Sequence, residues 1–330
     1  MKEPLASIII PTYNRASILP RAIDSVLNQT YKNWELLIVD DRSADDTKSV
    51  VENYNNKNIR YVKNQHKKGP AGARNQGIEE ARGEFIAFLD SDDEWKETHL
   101  GESIHYLCKH PKQIDLIRAD VIIKEDPKRE GNPDVFDIYR YAHYDLDGVS
   151  IFKTNELFNA ALETHMVNYI QTIVCKTEVL KDINFDEDLF VGEDYLFILE
   201  CAYNKIKIAH IPKYHLVHWV HESNLTTGKN ALKAAADIQI KRRLSWEKYY
   251  VKLLKNFHLQ YKDRKNIKDK LAELCFWVIA YGYYLPAGNY RKTNEYFLKG
   301  LKLKLFSFKM WKTYIKRILF KAPVKSRKHG

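Results

Sequence analysis

The chain has 330 residues, 45% hydrophobic and 12% aromatic, which excludes a disordered protein and leaves room for one large α/β domain with an extension, or for two domains. Its four cysteines (Cys108, Cys175, Cys201, Cys275) lie far apart with no CxxC pair, so they read as reduced thiols, not a disulfide framework or zinc site. The formal charge of +10 is local: residues 296–330 hold 11 Lys and Arg and no acidic residue, leaving 42 basic against 43 acidic residues elsewhere.

Met1–Pro4 leads straight into Leu5–Ile10, an apolar β-branched strand pattern, so no secretory leader is expected. Pro11-Thr12-Tyr13-Asn14-Arg15 marks a sharp turn, and Ile18, Leu19, Ala22, Ile23, Val26 and Leu27 then recur at helical spacing. Trp34–Val39 predicts a second buried strand that ends in Asp40-Asp41, followed by a helix carrying Val50 and Val51. Ile59–Val62 predicts a third strand. The loop Gly69–Asn75 enters a helix through Ile78 and Ala81. Phe85–Leu89 predicts a fourth strand, which breaks into Asp90, Asp92 and Asp93. Strands alternating with helices at this spacing mean βαβ units and a mostly parallel sheet.

Ligands in such sheets sit beyond the carboxyl ends of the strands. Carboxylates crowded there repel one another unless they share a cation, and hard oxygen ligands suit Mg²⁺ or Mn²⁺. Asp is also common in solvated turns that start helices, so one acidic strand end decides nothing. Two in one sheet point to one site. The dinucleotide fingerprint GxGxxG and the phosphate loop GxxxxGK[ST] are both absent, which argues against a dehydrogenase.

Farther on, Asp115–Ile123 and Val167–Val174 predict strands, and Asp126–Asp134 a polar loop, either a lid or a surface connection. Gly192-Glu193-Asp194 opens a helix through Leu196, Phe197, Leu199 and Cys201, where acids also suit the helix N-terminus. Ile206–Ile211 predicts a strand, followed by His215, His218 and His221. Their odd spacing puts neighbours on alternate faces, which disfavours zinc and leaves His215 and His218 to packing or strand ends. Ala231–Phe257 and Ile267–Tyr284 predict helices. The apolar run Cys275–Gly288 is too short to span a bilayer and contains Pro286, so a buried helix is expected. The last segment interleaves Phe297, Leu298, Leu301, Leu305, Phe306, Phe308, Trp311, Ile315, Ile318 and Leu319 with Lys and Arg. A basic amphipathic stretch of this kind suits an anionic membrane surface better than nucleic acid, since no nucleic-acid module accompanies it.

Four ordered blocks resemble the inverting family 2 glycosyltransferases of bacterial surface-polysaccharide synthesis: Ile8–Arg15 (IIIPTYNR), Gln29–Thr47, Gly69–Ile78 (GPAGARNQGI) and Phe88–Trp95 (FLDSDDEW). The resemblance implies an α/β GT-A fold, a Rossmann-like, mostly parallel sheet flanked by helices, with a C-terminal helical extension. It implies a catalytic domain over residues 1–225, with a nucleotide-sugar half (1–115) and an acceptor half (116–225), before a helical region at 226–330. The DxD motif falls on Asp90-Ser91-Asp92, with Asp92 as ligand of Mn²⁺ or Mg²⁺ and Asp90 near the ribose or sharing the ion. Pro11, Thr12, Tyr13, Asp41, Arg74, Asp90 and Ser91 are implied to bind the nucleotide-sugar, with Tyr13 and Asp41 at the base. Asp194 matches the general base and Glu193 its neighbour at the acceptor. His221 is implied at the metal or pyrophosphate. Two positions depart from the family pattern: Arg42 stands where a small residue, often Gly, is usual, and Thr98-His99-Leu100 where a Pro often precedes the Leu.

The expected reaction moves a sugar, from UDP by analogy with the family's commonest carrier, to a saccharide or lipid-linked saccharide hydroxyl. The expected location is cytoplasmic, peripheral on the inner face of the plasma membrane, with no nucleic-acid partner. A nucleotidyltransferase, which would release pyrophosphate, and a non-catalytic membrane-surface protein are the rival readings.

Overall fold

The computed structural model describes residues 3–125, 132–134, 141, 143–153, 157–159, 161–162, 169–220 and 236–320. The chain divides into two compact units, Met1–Glu187 with Glu193–Ala231, and Asp188–Gly192 with Leu232–Gly330.

The first unit carries eleven strands among the described residues: β1 (Ala6–Thr12), β2 (Trp34–Asp40), β3 (Ile59–Lys63), β4 (Phe85–Phe88), β5 (Glu94–Trp95), β6 (Leu116–Lys124), β7 (Asn132–Asp134), β8 (His143–Leu146), β9 (Val149–Phe152), β10 (Val174–Lys176) and β11 (Ile208–Trp219). They form one sheet in the order β3-β2-β1-β4-β10-β6-β11-β9-β8, with β5 paired to β11 and β7 to β6. The first four in that order run parallel. Their connections hold helices α1 (Leu19–Leu27), α2 (Thr47–Glu52) and α3 (Pro70–Glu80). Parallel strands covered by helices on both faces are buried throughout: Ile8, Ile9 and Ile10 of β1 and Leu36 to Val39 of β2 are inaccessible to solvent. Gly77 lets α3 lie on β1, because a Cβ there would meet Ile9 Cγ2 at 2.5 Å. Helices α4 (His99–Lys109) and α5 (Glu193–Tyr203) complete the unit's longer helical elements.

Three sequence expectations change. Of Val167–Val174, residues 170–172 form a 3₁₀ turn, and the pairing strand is Val174–Lys176. The Tyr169 carbonyl accepts from both the Thr172 N–H and its hydroxyl, which closes that turn. Asn132–Asp134, at the end of the expected polar loop, pairs antiparallel with β6 as β7. The strand expected over Ile206–Ile211 continues to Trp219, so His215 and His218 lie within β11.

The second unit is helical. It contains α6 (Ala236–Asn256), α7 (Tyr261–Glu273) continuing as a π-helix over Leu274–Tyr284, α8 (Tyr290–Leu303) and α9 (Phe308–Phe320). Ala272, Phe276, Ala280, Leu285, Phe297, Leu301 and Met310 make its core. Gly300 allows α8 its close approach, since a Cβ there would meet Phe276 Cβ at 2.8 Å. The Ser245 hydroxyl accepts from the Phe190 and Val191 N–H groups and donates to the Val191 carbonyl, which fixes the 188–192 segment within this unit. No helix among the described residues is long and apolar enough to cross a membrane.

Candidate active site

The β1 and β2 ends are laced together by short polar side chains. Asn14, at φ +51°, accepts from the Ala44 N–H through Oδ1, and its own N–H donates to Ser43 Oγ, both at 2.8 Å. The Arg15 N–H donates to Thr47 Oγ1 and the Ala16 N–H to Asp45. Asp40 is consumed by this turn, accepting from Ser43 and from the Tyr61 hydroxyl. Arg42 follows at φ +69°, the left-handed region where glycine is least strained, which explains why a small residue suits this position.

Asp41 behaves differently from Asp40. Its Oδ1 accepts from Asn64 Nδ2 at 2.7 Å and its Oδ2 from the Gly69 N–H at 2.8 Å. Burial pushes its carboxyl up, while those two bonds hold it back. The Asp41 side chain therefore ties the β2 end to the loop before α3. Beside it, Tyr13 is 44% exposed, with Lys68 Nζ 3.8 Å from its ring centroid. Thr12 is buried and Pro11 half-buried at the end of β1.

Beyond β4, four residues separate into distinct roles. Asp93 is fully buried and accepts from His218 Nδ1 at 3.0 Å and the Trp219 N–H at 3.0 Å. Burial raises its carboxyl to about 6, against the lowering effect of His218. Asp92 is half-buried, with Arg15 Nη2 3.4 Å from its Oδ2 and Arg21 Nη2 donating to its backbone carbonyl. Arg21 also lies 4.5 Å from the centroid of the Trp219 ring. Asp90 accepts from Arg74 through Oδ1 at 2.8 Å and from Gln171 through Oδ2. Ser91 is buried between them in sequence.

Arg74, on α3, is the hub. It is 3% exposed, and its other terminal nitrogen donates to Glu193 Oε1 at 2.9 Å. The guanidinium also sits 5.3 Å from the Phe185 ring centroid. Asp194, next to Glu193 in the first turn of α5, receives the Tyr195 N–H. Burial and the adjacent Glu193 raise the Asp194 carboxyl to about 7, with Arg74 pulling the other way. A carboxyl poised there can exchange a proton near neutral pH.

Oxygens of Asp90, Asp92 and Asp93 lie within 4.8 Å of one another, a hard-donor set that fits a divalent cation. Asp93 is fully buried and committed to His218 and Trp219, whereas the Asp90 and Asp92 side chains reach the surface and are the better-placed donors. His221 lies outside the described residues. His215 faces His99 with Nδ1 atoms 3.2 Å apart, and burial together with His215 holds His99 well below the usual imidazole range. So His215 packs while His218 anchors Asp93.

Several residues escaped sequence reasoning. Gln171 braces Asp90 through its side chain and accepts the Trp95 indole N–H on its carbonyl at 2.6 Å. Arg15 and Arg21 flank Asp92, and Phe185 lies against Arg74. Only Arg15 carried a signal, as the last residue of the block Ile8–Arg15 that resembles the family.

The sequence model of Glycosyl transferase family 2 matches residues 7–171, half of the chain. An Escherichia coli protein named UDP-Glc:alpha-D-GlcNAc-diphosphoundecaprenol beta-1,3-glucosyltransferase WfgD is 46% identical over 110 residues, 33% of this chain and 44% of that protein. That match thus spans less than half of the relative's length. A Campylobacter jejuni protein named GalNAc(5)-diNAcBac-PP-undecaprenol beta-1,3-glucosyltransferase is 29% identical over 286 residues, 78% of this chain and 86% of that protein. Among solved structures, S. aureus TarS 1-349 in complex with UDP-GlcNAc superposes with a TM-score of 0.58 at 21% identity, covering 90% of this chain and 81% of that one. That likeness is one of fold, and the fold is GT-A. The family match runs from β1 through the Asp90–Asp93 turn as far as Gln171, the same stretch that Arg74 and Asp90 knit together, and this chain belongs to glycosyltransferase family 2 and is a glycosyltransferase.

Proposed function

We propose that this glycosyltransferase moves a sugar from a UDP-sugar to a hydroxyl of a lipid-linked saccharide, with inversion at the anomeric carbon and with dependence on Mn²⁺ or Mg²⁺. The observation that carries the reading is the Arg74 bridge. One buried guanidinium ties Asp90, at the proposed donor site, to Glu193, beside the proposed base. The names of the E. coli and C. jejuni relatives, both undecaprenol-linked glucosyltransferases, support a lipid-linked acceptor.

In this reading Tyr13 packs on the base and Asp41, held by Asn64 and Gly69, accepts a base N–H with its remaining lone pairs. Pro11, Thr12 and Ser91 shape the nucleotide groove, and Asp90 faces the ribose. Asp92 holds the metal, with Asp90 close enough to share it and His221 proposed at the metal or pyrophosphate. The ion, when bound, offsets negative charge developing on the diphosphate. Asp194 takes the proton from the acceptor hydroxyl. The hydroxyl oxygen bonds to the anomeric carbon as the bond to the diphosphate oxygen breaks, and the nucleoside diphosphate leaves. Glu193, fixed by Arg74, sets the position of the α5 start and borders the acceptor. Residues 1–225 serve as the catalytic domain, with acceptor choice lodged in 116–225, and the basic amphipathic segment 296–330 at the end of the helical region 226–330 faces an anionic membrane on its cytoplasmic side.

The test is thermal stabilisation by UDP, GDP, dTDP and CMP, each with and without Mn²⁺, followed by transfer assays with undecaprenyl-diphosphate saccharides. A ligand that binds only the folded state raises the melting temperature by mass action. Metal-dependent stabilisation by UDP, lost in Asp92→Asn, is expected. Stabilisation that ignores the metal, or none by any nucleotide, overturns the reading.

A further inference from the structure

The second unit exposes apolar side chains in one concentrated place. Between α8 and α9, Leu305 is 58% and Phe306 100% exposed, and Phe308, the first residue of α9, is 78% exposed. Along α9, Trp311 and Ile315 are 37% and 47% exposed. Phe308, Trp311 and Ile315 are spaced by three and four residues and so share one helix face. A different face of α9 does the packing: Met310 is 1% exposed in the unit's core, and Tyr314, four residues on, lies against the same core. The outward stripe is therefore surplus to the fold.

The projecting turn is tied to its neighbours. The Trp311 indole donates to the Leu305 carbonyl at 2.7 Å, and Lys304 is held by Glu273 at 3.1 Å and Asp269 at 3.6 Å. Leu305 and Phe306 thus project from a turn whose carbonyl at Leu305 is bonded back to α9. Lys312 and Lys316 are exposed beside this stripe, Lys309 is exposed with its Nζ 5.4 Å from the Trp277 ring centroid, and residues 296–330 hold no acidic residue. Exposed aromatic groups flanked by cations of one sign match the interface of an anionic bilayer, where rings enter the acyl boundary and amines meet phosphates.

We propose that Leu305, Phe306 and Phe308, continued by Trp311 and Ile315, form the element that inserts into anionic lipid, with Lys312 and Lys316 at the headgroups. This deepens the membrane reading given under Proposed function and rests on it. A protein face of the same apolar character would not require charge of a single sign.

The experiment is co-sedimentation of the full chain with phosphatidylcholine vesicles, with and without phosphatidylglycerol. Wild type is compared with Phe306→Ser/Phe308→Ser, Lys312→Glu/Lys316→Glu and Tyr261→Ser, the last an exposed aromatic elsewhere in the unit. Wild type is expected on anionic vesicles only. The Phe pair should lower partitioning by roughly tenfold or more per ring removed, the Lys pair by about fivefold or more per position, and Tyr261→Ser not at all. Undiminished binding by the Phe pair, equal binding of wild type to neutral vesicles, or no wild-type binding overturns the proposal. So does a concentration-dependent dimer that the Phe pair abolishes while vesicles are ignored. UDP-induced thermal stabilisation of each variant reads the donor site separately: vesicle binding without any UDP effect would sink the UDP-sugar reading alone.

Discussion

Arg74 donates to Glu193 at 2.9 Å although 119 positions separate them in the chain, and the same guanidinium reaches Asp90 at 2.8 Å. The arginine is buried, so neither carboxylate shares it extensively with water. Deleting a buried partner leaves uncompensated charge, which costs more than the intact pair contributes. Arg74→Met is therefore expected to lose about 3–5 kcal/mol of stability in urea unfolding. The loss should shrink as pH falls, because protonating the stranded carboxylates removes the penalty. Adding Glu193→Gln to Arg74→Met should recover part of the loss. Arg74→Lys should fall between, since one ammonium cannot reproduce the fork that spans both acids. A loss below about 1 kcal/mol for Arg74→Met, on the scale of an exposed ion pair, would mean that the bridge is not a structural hub.

The pH dependence of transfer follows from Asp194. A base must be unprotonated, and burial with Glu193 raises this carboxyl to about 7. The rate at low substrate is expected to rise with pH, half-maximal near 7. Stability runs the opposite way. A folded-state value above the ordinary 3.8 means that this group favours the folded state most below that value and loses the contribution as pH climbs through about 7. Asp194→Asn should remove the rising limb and reduce transfer on the order of 10²–10⁴-fold, while UDP stabilisation persists. In Arg74→Lys, which retains positive charge, the limb should stay near its wild-type position, whereas Arg74→Met should move it to higher pH. A flat wild-type profile from pH 5 to 9 would remove Asp194 from the base role.

The parallel half of the sheet was readable because β1, β2 and β4 are buried on both faces: Leu5–Ile10, Trp34–Val39 and Phe85–Leu89 are predominantly apolar runs, interrupted only by Ser7 and Glu35, and with the half-buried Ile59–Val62 they match β1 to β4 to within two residues. The strand-end carboxylates were readable for the same reason, as each interrupts such a run. Their differences were not. Asp90, Asp92 and Asp93 look alike in sequence, and only long-range partners (Gln171, Arg15, His218) separate a braced, a cation-flanked and a buried carboxylate. Gln171 was hidden inside a stretch whose apolar neighbours suggested a strand. The mixed half of the sheet was less legible, because β7 to β10 have three or four residues each and little periodicity to read.

Two neighbouring carboxylates should accordingly respond in opposite ways. Asp93→Asn forfeits charge-assisted bonds from His218 and the Trp219 N–H in a fully buried place. A bond to a charged group contributes about 1.5–3 kcal/mol and a neutral one about 0.5–1.5 kcal/mol, so weakening both gives an expected loss of about 2–3 kcal/mol without nucleotide or metal. Asp92→Asn is half-buried and lies 3.4 Å from Arg15, so its stability should change by less than about 1 kcal/mol. Its defect should instead be the loss of metal-dependent UDP stabilisation. Urea unfolding of both variants, alongside the nucleotide thermal shift, checks the contrast. Equal stability losses would mean that the two acids share one structural job.

Gly72 tests the loop that Asp41 organises. In the first turns of α3, a Cβ at this position would meet the Lys67 carbonyl oxygen at 2.1 Å and His66 Cβ at 3.1 Å. The obstacle is backbone, so it yields only if the 64–69 loop shifts. That same Lys67 carbonyl accepts from Asn64, which also donates to Asp41, and the Gly69 N–H completes the set. Gly72→Ala should therefore act at a distance on the proposed base-binding carboxylate. The expected outcome is a stability loss of about 1–3 kcal/mol, the usual scale of overpacking, together with a weaker UDP-induced rise in melting temperature. Gly101→Ala is the matched control: it lies in α4, and its added Cβ meets only the Thr30 hydroxyl oxygen at 3.2 Å and Tyr31 Cβ at 4.0 Å. Helix propensity favours that change by up to about 1 kcal/mol, so its stability should hold or rise and its UDP response should match wild type. If Gly72→Ala lowers stability yet leaves the UDP response intact, the 64–69 loop supports the fold without shaping the nucleotide groove, and Asp41 loses its proposed contact with the base.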